Sequence, residues 1–139
     1  MSISTEGTKL RFGGHELPCL LGDFEVKQTR DVKEKRCTLS GSVRKSLGAS
    51  KVDNITFLIP KGEAVNAAAE AAIRTAYANK ELLSFEVEDN DMPSGGTNGS
   101  KIAFNCYVFE DVVSYKEDDD LEFSFSITID GDITKTAAA

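Results

Sequence analysis

The run "LEFSFSITIDGD", residues 121–132, decides how this chain is expected to fold. Leu121, Phe123, Phe125, Ile127 and Ile129 alternate with Glu122, Ser124, Ser126, Thr128 and Asp130. Side chains of a strand point to opposite faces with a period of two, so this is a strand with one buried face and one wet face. Gly131 is expected to end it and the tail at 134–139 to fray. Just before it stands "SYKEDDD", residues 114–120, with Glu117, Asp118, Asp119 and Asp120 adjacent. A calcium loop needs a glycine at its sharp turn, and none is present. A catalytic carboxylate pair needs one desolvated member, whereas neighbouring acids in a turn all stay hydrated. The cluster therefore reads as a solvated hairpin turn feeding the strand.

Working outward, residues 101–115 read as a long strand whose parity slips near Glu110 and Asp111, the mark of a bulge. Residues 81–88 put Leu83, Phe85 and Val87 on one face of another strand. Between them, 89–100 is a turn-rich flexible loop. Residues 62–80 give the one helix: Val65, Ala69, Ala72, Ile73, Ala76 and Tyr77 follow helical spacing. Alanine supplies the propensity. Glu63 and Lys80 suit the two ends of the dipole, Glu70 and Arg74 are spaced as an ion pair, and Asn79 suits a left-handed stop. Further strands are expected at 8–12, with His15 in the turn after Gly13-Gly14, at 23–28 after an edge segment, and at 52–59 before Pro60. Residues 29–51 form a charged arm, with 34–44 as its strand part. The order, strands then one helix then strands, predicts a mainly β single domain: an antiparallel β-sandwich or barrel with one flanking α-helix.

The chain has 139 residues and a net charge of −7, unevenly placed. Residues 27–51 carry eight basic side chains against two acidic ones, and 81–132 carry fourteen acidic against two basic. Such asymmetry points to steering or to self-association between unlike patches. Three dispersed cysteines make neither a disulfide framework nor a zinc site. Cys106 lies inside a strand pattern and is expected to be buried, while Cys19 and Cys37 leave room for a bridge between subunits. No basic-then-apolar leader opens the sequence and no apolar run reaches membrane-span length, so no membrane insertion is expected.

Chemical motifs fail one by one. "DNDMPSGG", 89–96, begins like a calcium loop but places Pro93 and Ser94 where a ligand and a glycine belong. "GGTNGSK", 95–101, has its lysine after the serine and a strand where a phosphate loop needs a helix. One turn histidine offers no triad. The basic arm lacks interleaved aromatics for stacking on bases. Neither an enzyme nor a cofactor is expected.

The layout then becomes informative: Gly7-Thr8 before the first strand, the charged arm, a strand closed by Pro60, the alanine-rich helix, and the ending "LLSFEVED…SKIAFNCYVFEDVVSYKEDDDLEFSFSITIDGDIT" with its Gly131-Asp132-Ile133-Thr134 close. This resembles a bacteriophage tail tube protein of long-tailed phages. The type VI secretion tube protein is similar in fold and is one alternative. A monomeric β-barrel that binds a small ligand in a closed cavity is the other. The resemblance implies hexameric rings whose sheets join into one barrel around a lumen. It implies that rings stack into a tube in the virion tail through which DNA passes into the host. Tape measure, tail tip and terminator proteins are the implied partners, and the host cytoplasm is the place of synthesis. On this reading Glu122, Ser124, Ser126 and Thr128 line a polar, acidic lumen. Arg30, Lys33, Lys35, Arg36, Arg44 and Lys45 dock one ring on the acids of the next, with Glu117, Asp118, Asp119 and Asp120 as acceptors.

Overall fold

A computed structural model describes residues 6–115, 117 and 120–139. Eight strands and one helix follow in order: β1 Lys9–Phe12, β2 His15–Glu16, β3 Gln28–Arg36, β4 Val43–Val52, β5 Ile55–Pro60, α1 Ala67–Asn79, β6 Leu83–Glu88, β7 Lys101–Ser114 and β8 Glu122–Thr136. Six strands form one antiparallel sheet in the order β2-β1-β6-β7-β8-β5, and β3 and β4 form a separate hairpin.

The large sheet is strongly curled, and its aromatic side chains show why. β1 and β5 lie four strand spacings apart, about 19 Å in a flat sheet at ~4.8 Å per spacing. Yet the rings of Phe12 on β1 and Phe57 on β5 have centroids 5.4 Å apart. Phe12 also meets Phe85 and Phe125, and Phe57 stacks on Phe125 at 5.2 Å. These rings, with Phe123, are buried. Their positions on four strands share one face, and packing them together bends the sheet around them. The sheet stays open, with β2 and β5 as its ends.

Helix α1 closes the apolar side. Ala69, Ile73 and Ala76 are buried in the same core, and small side chains let the helix approach closely. Arg74 lies over the ring of Phe123 and reaches Asp111 at 3.7 Å. The expected pairing of Arg74 with Glu70 gives way to this partner on β7. The helix proper begins at Ala67, after a 3-10 turn at Ala64–Asn66, so Val65 stays exposed, as does Tyr77. Lys80, not Asn79, takes the left-handed stop with φ 56°. Asn66 is fully buried, and its side chain clasps one peptide group: Oδ1 accepts from the N–H of Cys19 at 3.0 Å and Nδ2 donates to its carbonyl at 2.7 Å.

Other expectations move. The strand expected at 23–28 does not form: 23–27 is irregular and β3 begins only at Gln28. Pro18 and the left-handed Gly22 break the run, and a single bridge joins Leu21 to Leu58 on β5. Phe24 and Val26 still pack on the core. His15 belongs to the short β2 rather than to the turn. Residues 34–44 are not one strand. They hold the turn between β3 and β4, where the N–H of Cys37 bonds the carbonyl of Ser42 and Gly41 takes φ 71°. The strand expected at 52–59 starts at Ile55, because Val52 ends β4. β8 does not stop at Gly131. Ala103 faces Thr134 and Asn105 faces Asp130, so Gly131, Asp132 and Ile133 all stand opposite Phe104. This wide bulge needs φ 87° at Gly131 and lets the strand run on to Thr136. The tail is tied as well: Ala139 exchanges backbone hydrogen bonds with Asn98.

Candidate assembly surfaces

The β3–β4 arm stands away from the core. Nearly all of its residues are exposed, in contrast to the half-buried strands of the sheet. Paired residues share a face in an antiparallel ladder, and this sorts the arm's charges. One face carries Lys33 opposite Ser46 and Lys35 opposite Arg44. The other carries Val32 opposite Leu47, Glu34 opposite Lys45 and Arg36 opposite Val43. Three ion pairs brace the arm and its base: Lys45–Glu34 at 3.5 Å, Lys51–Asp31 at 3.2 Å and Lys27–Asp53 at 3.9 Å. Arg30 donates to the carbonyl of Gly48 at 3.0 Å, across the irregularity where Asp31 faces two residues of β4.

The six basic residues expected to act together thus divide. Lys45 and Arg30 are engaged within the arm. Lys33, Lys35, Arg36 and Arg44 make no ion pair among the described residues. Lys35 facing Arg44 is a like-charge cross-strand pair, which destabilises a ladder by itself. At the tip, the Cys37 thiol is shifted down by hydrogen bonds from Ser42 and Arg44. Of the acidic turn, Glu117 and Asp120 are exposed, while Asp118 and Asp119 lie outside the described residues.

The second surface is the face of the sheet turned away from α1. Glu122, Ser124, Ser126 and Thr128 all lie on it, in register with Ser114, Val112, Glu110 and Tyr107 of β7. The alternation in the sequence is therefore real, but its wetness is uneven. Ser126 is 4% exposed, with its hydroxyl 2.8 Å from that of Thr56 on β5. Glu122, Ser124 and Thr128 are half-buried, and Leu58, Tyr107 and Val112 add apolar surface among them.

Farther along the same face lies a charge network that the sequence reading did not contain. Register places Lys9, Glu88 and Lys101 in one row across β1, β6 and β7, and Arg11, Glu86 and Ala103 in the next. Arg11 Nη1 donates to Glu86 Oε2 at 3.0 Å and to Glu88 Oε1 at 3.2 Å. Lys101 Nζ lies 3.6 Å from Glu86 and 3.8 Å from Glu88. Burial pushes the Glu88 carboxyl up, but the Arg11 hydrogen bond, the Gly99 N–H and the charges of Arg11 and Lys101 outweigh it and hold the group below the ordinary range. The signal was present as Glu86 and Glu88 alternating with Phe85 and Val87; only the strand order could bring Arg11 and Lys101 to them.

No cluster of three or more metal-binding side chains occurs among the described residues. Cys106 is buried, donates to the Leu83 carbonyl, and has its thiol pushed up to about 12 by burial. It is a packing residue.

Comparison with known structures places this architecture. The chain is similar to one in the extended-state sheath/tube terminator of an extracellular contractile injection system (TM-score 0.71, 16% identity, 99% of this chain and 98% of that one). It is similar to a chain in the C6-symmetric tail of an empty gene transfer agent particle (TM-score 0.62, 12% identity, 86% and 83%). It is also similar to the SPP1 tail tube (TM-score 0.67, 15% identity, 98% and 80%). No protein-family model matches the chain, and no curated protein matches it by sequence. The fold is that of tail tube proteins, mainly β with one helix.

Proposed function

We propose that this chain is a non-catalytic structural subunit of a phage-type tail tube. Six copies form a ring, and rings stack into a hollow tube in the virion tail that passes DNA. The observation that carries the reading is the arm: an exposed hairpin with four cations that have no carboxylate partner among the described residues. Such a surface fits a second copy rather than a small ligand. The open ends of the sheet fit the same role, because unpaired edges are a liability unless a neighbour covers them. The interior of the curl is filled by phenylalanine rings, which counts against a barrel that holds a ligand inside.

In the tube, Lys33, Lys35, Arg36 and Arg44 reach acids of the adjoining ring, with Glu117 and Asp120 among the candidates and Asp118 and Asp119 beside them in sequence. The face bearing Glu122, Ser124, Ser126 and Thr128 is turned to the lumen, and α1 faces outward. Terminator, tape measure and tail tip proteins meet the ends of the tube, and the subunit is made in the host cytoplasm. Negative-stain microscopy of the purified protein tests this directly. Rings or hollow filaments are expected, and K35E/R36E is expected to abolish them while the melting curve stays unchanged. A monomer at high concentration that also fails to add to preformed tail tips ends the reading.

A further inference from the structure

The sheet face opposite α1 does not lack cations. Lys9, Arg11 and Lys101 all stand on it. A face turned to passing nucleic acid would bind it if those cations were available, because each one that neutralises a phosphate releases a condensed counterion. We propose that Glu86 and Glu88 make this face non-adhesive to nucleic acid by occupying Arg11 and Lys101. The inference rests on the reading that the face lines the tube, and it names what the face does to its cargo.

The geometry is that of a closed set. Glu86 and Glu88 are two apart on β6, so both point to the same face. β1 lies on one side of β6 and β7 on the other, which puts Arg11 and Lys101 within reach of both carboxylates. Arg11 is bonded to both, and Lys101 is within 4 Å of both. Within this set two charges of each sign cancel, while Lys9, in the same row, makes no ion pair among the described residues and is common to every variant tested below. The side chains of Arg11 and Lys101 are each 26% exposed and that of Glu88 is 12% exposed, so salt screens these contacts less than it screens a surface pair. A phosphate that displaced a glutamate from Arg11 would leave that carboxylate facing the phosphate. Arg11 and Lys101 therefore have their counterions built in and release none.

Unassembled subunits are titrated with a fluorescein-labelled 20-base-pair duplex at several salt concentrations, followed by anisotropy. E86Q/E88Q is expected to bind at least about tenfold more tightly than the wild type at low salt. The plot of log affinity against log salt is expected to steepen by about 2, at ~0.9 per cation engaged. Adding R11Q/K101Q to that variant returns both to wild-type values. R11Q/K101Q alone leaves the wild-type slope unchanged, which tests the masking without removing either glutamate. An unchanged slope in E86Q/E88Q, a gain that survives R11Q/K101Q, or a shallower slope in R11Q/K101Q alone overturns the proposal. Any contribution from the basic arm is common to all four proteins and cancels. In a C19S/C37S background, which removes the two accessible native thiols, tubes in which a label at Asn105→Cys decorates the outer wall would remove the lumen reading and leave this result standing.

Discussion

At the scale of single residues, the side chain with the sharpest consequence is Asn66. It satisfies both backbone groups of Cys19 from the start of the helix, so it fastens the irregular 17–27 segment to α1. Asn66→Ala leaves a half-buried N–H and carbonyl without partners, a loss of roughly 1–3 kcal/mol, to be read as a lowered urea midpoint with an unchanged slope. Glu88 gives a pH signature. Its folded pKa lies below the unfolded value, near 4.3 for glutamate. The stability it contributes is therefore complete above that value and is lost as pH falls through the folded one. Denaturation measured from about pH 5 down to about pH 3 should show stability falling, and E88Q should flatten that fall. Neither residue stood out in the sequence. Asn66 sat within a stretch read only for helical spacing, and its partner is 47 residues away. Glu88 was one charge in an acidic half until β1 and β7 were placed beside it.

At the scale of elements, the arm and β8 carry the lessons. Lys35→Glu has opposite effects on the arm and on the tube. It turns the like-charge pair with Arg44 into an attractive one, worth roughly 0.2–1 kcal/mol to the ladder, while removing a cation from the proposed docking surface. Amide exchange at 33–36 should slow and tube formation should fall, with the core transition unmoved. A gain in assembly would show that Lys35 faces no acid. The arm's existence was legible because its charge density and poor periodicity set it apart. Its turn was not, because Cys37-Thr38-Leu39-Ser40 reads as strand until Gly41 is seen to take a left-handed conformation. β8 was legible through Ile129 by strict alternation. Its continuation was hidden because Gly131, ordinarily a stop, opens a bulge that three residues share. The helix start was misplaced for a related reason: Ala64–Asn66 has the composition of an α-helix but turns more tightly.

At the scale of the whole molecule, the sheet order explains how separate patches come to act together. The sequence gives strand faces but not neighbours, so the curl, the charge network on β1, β6 and β7, and the division of the arm's cations became visible only with the register. Electrostatic stacking makes a prediction at this scale. Raising salt from about 0.1 M to about 1 M shortens the screening length from about 10 Å to about 3 Å, and tube formation followed by light scattering should decline across that range. Assembly that is indifferent to salt would mean that the rings stack through Val32, Leu47 and their like. The opposition of Lys35 and Arg44 then bears on when the polymer grows. In the proposed tube, a lone subunit would offer a few acids to another's arm, whereas a finished ring of six would offer six sets about one axis at fixed spacing, where each engaged arm raises the effective concentration of the next. Relief of the repulsion is therefore greatest at the end of an existing tube and least between two free subunits in solution. The proposed tube is then expected to nucleate slowly and elongate fast, so that newly made subunits wait for a template.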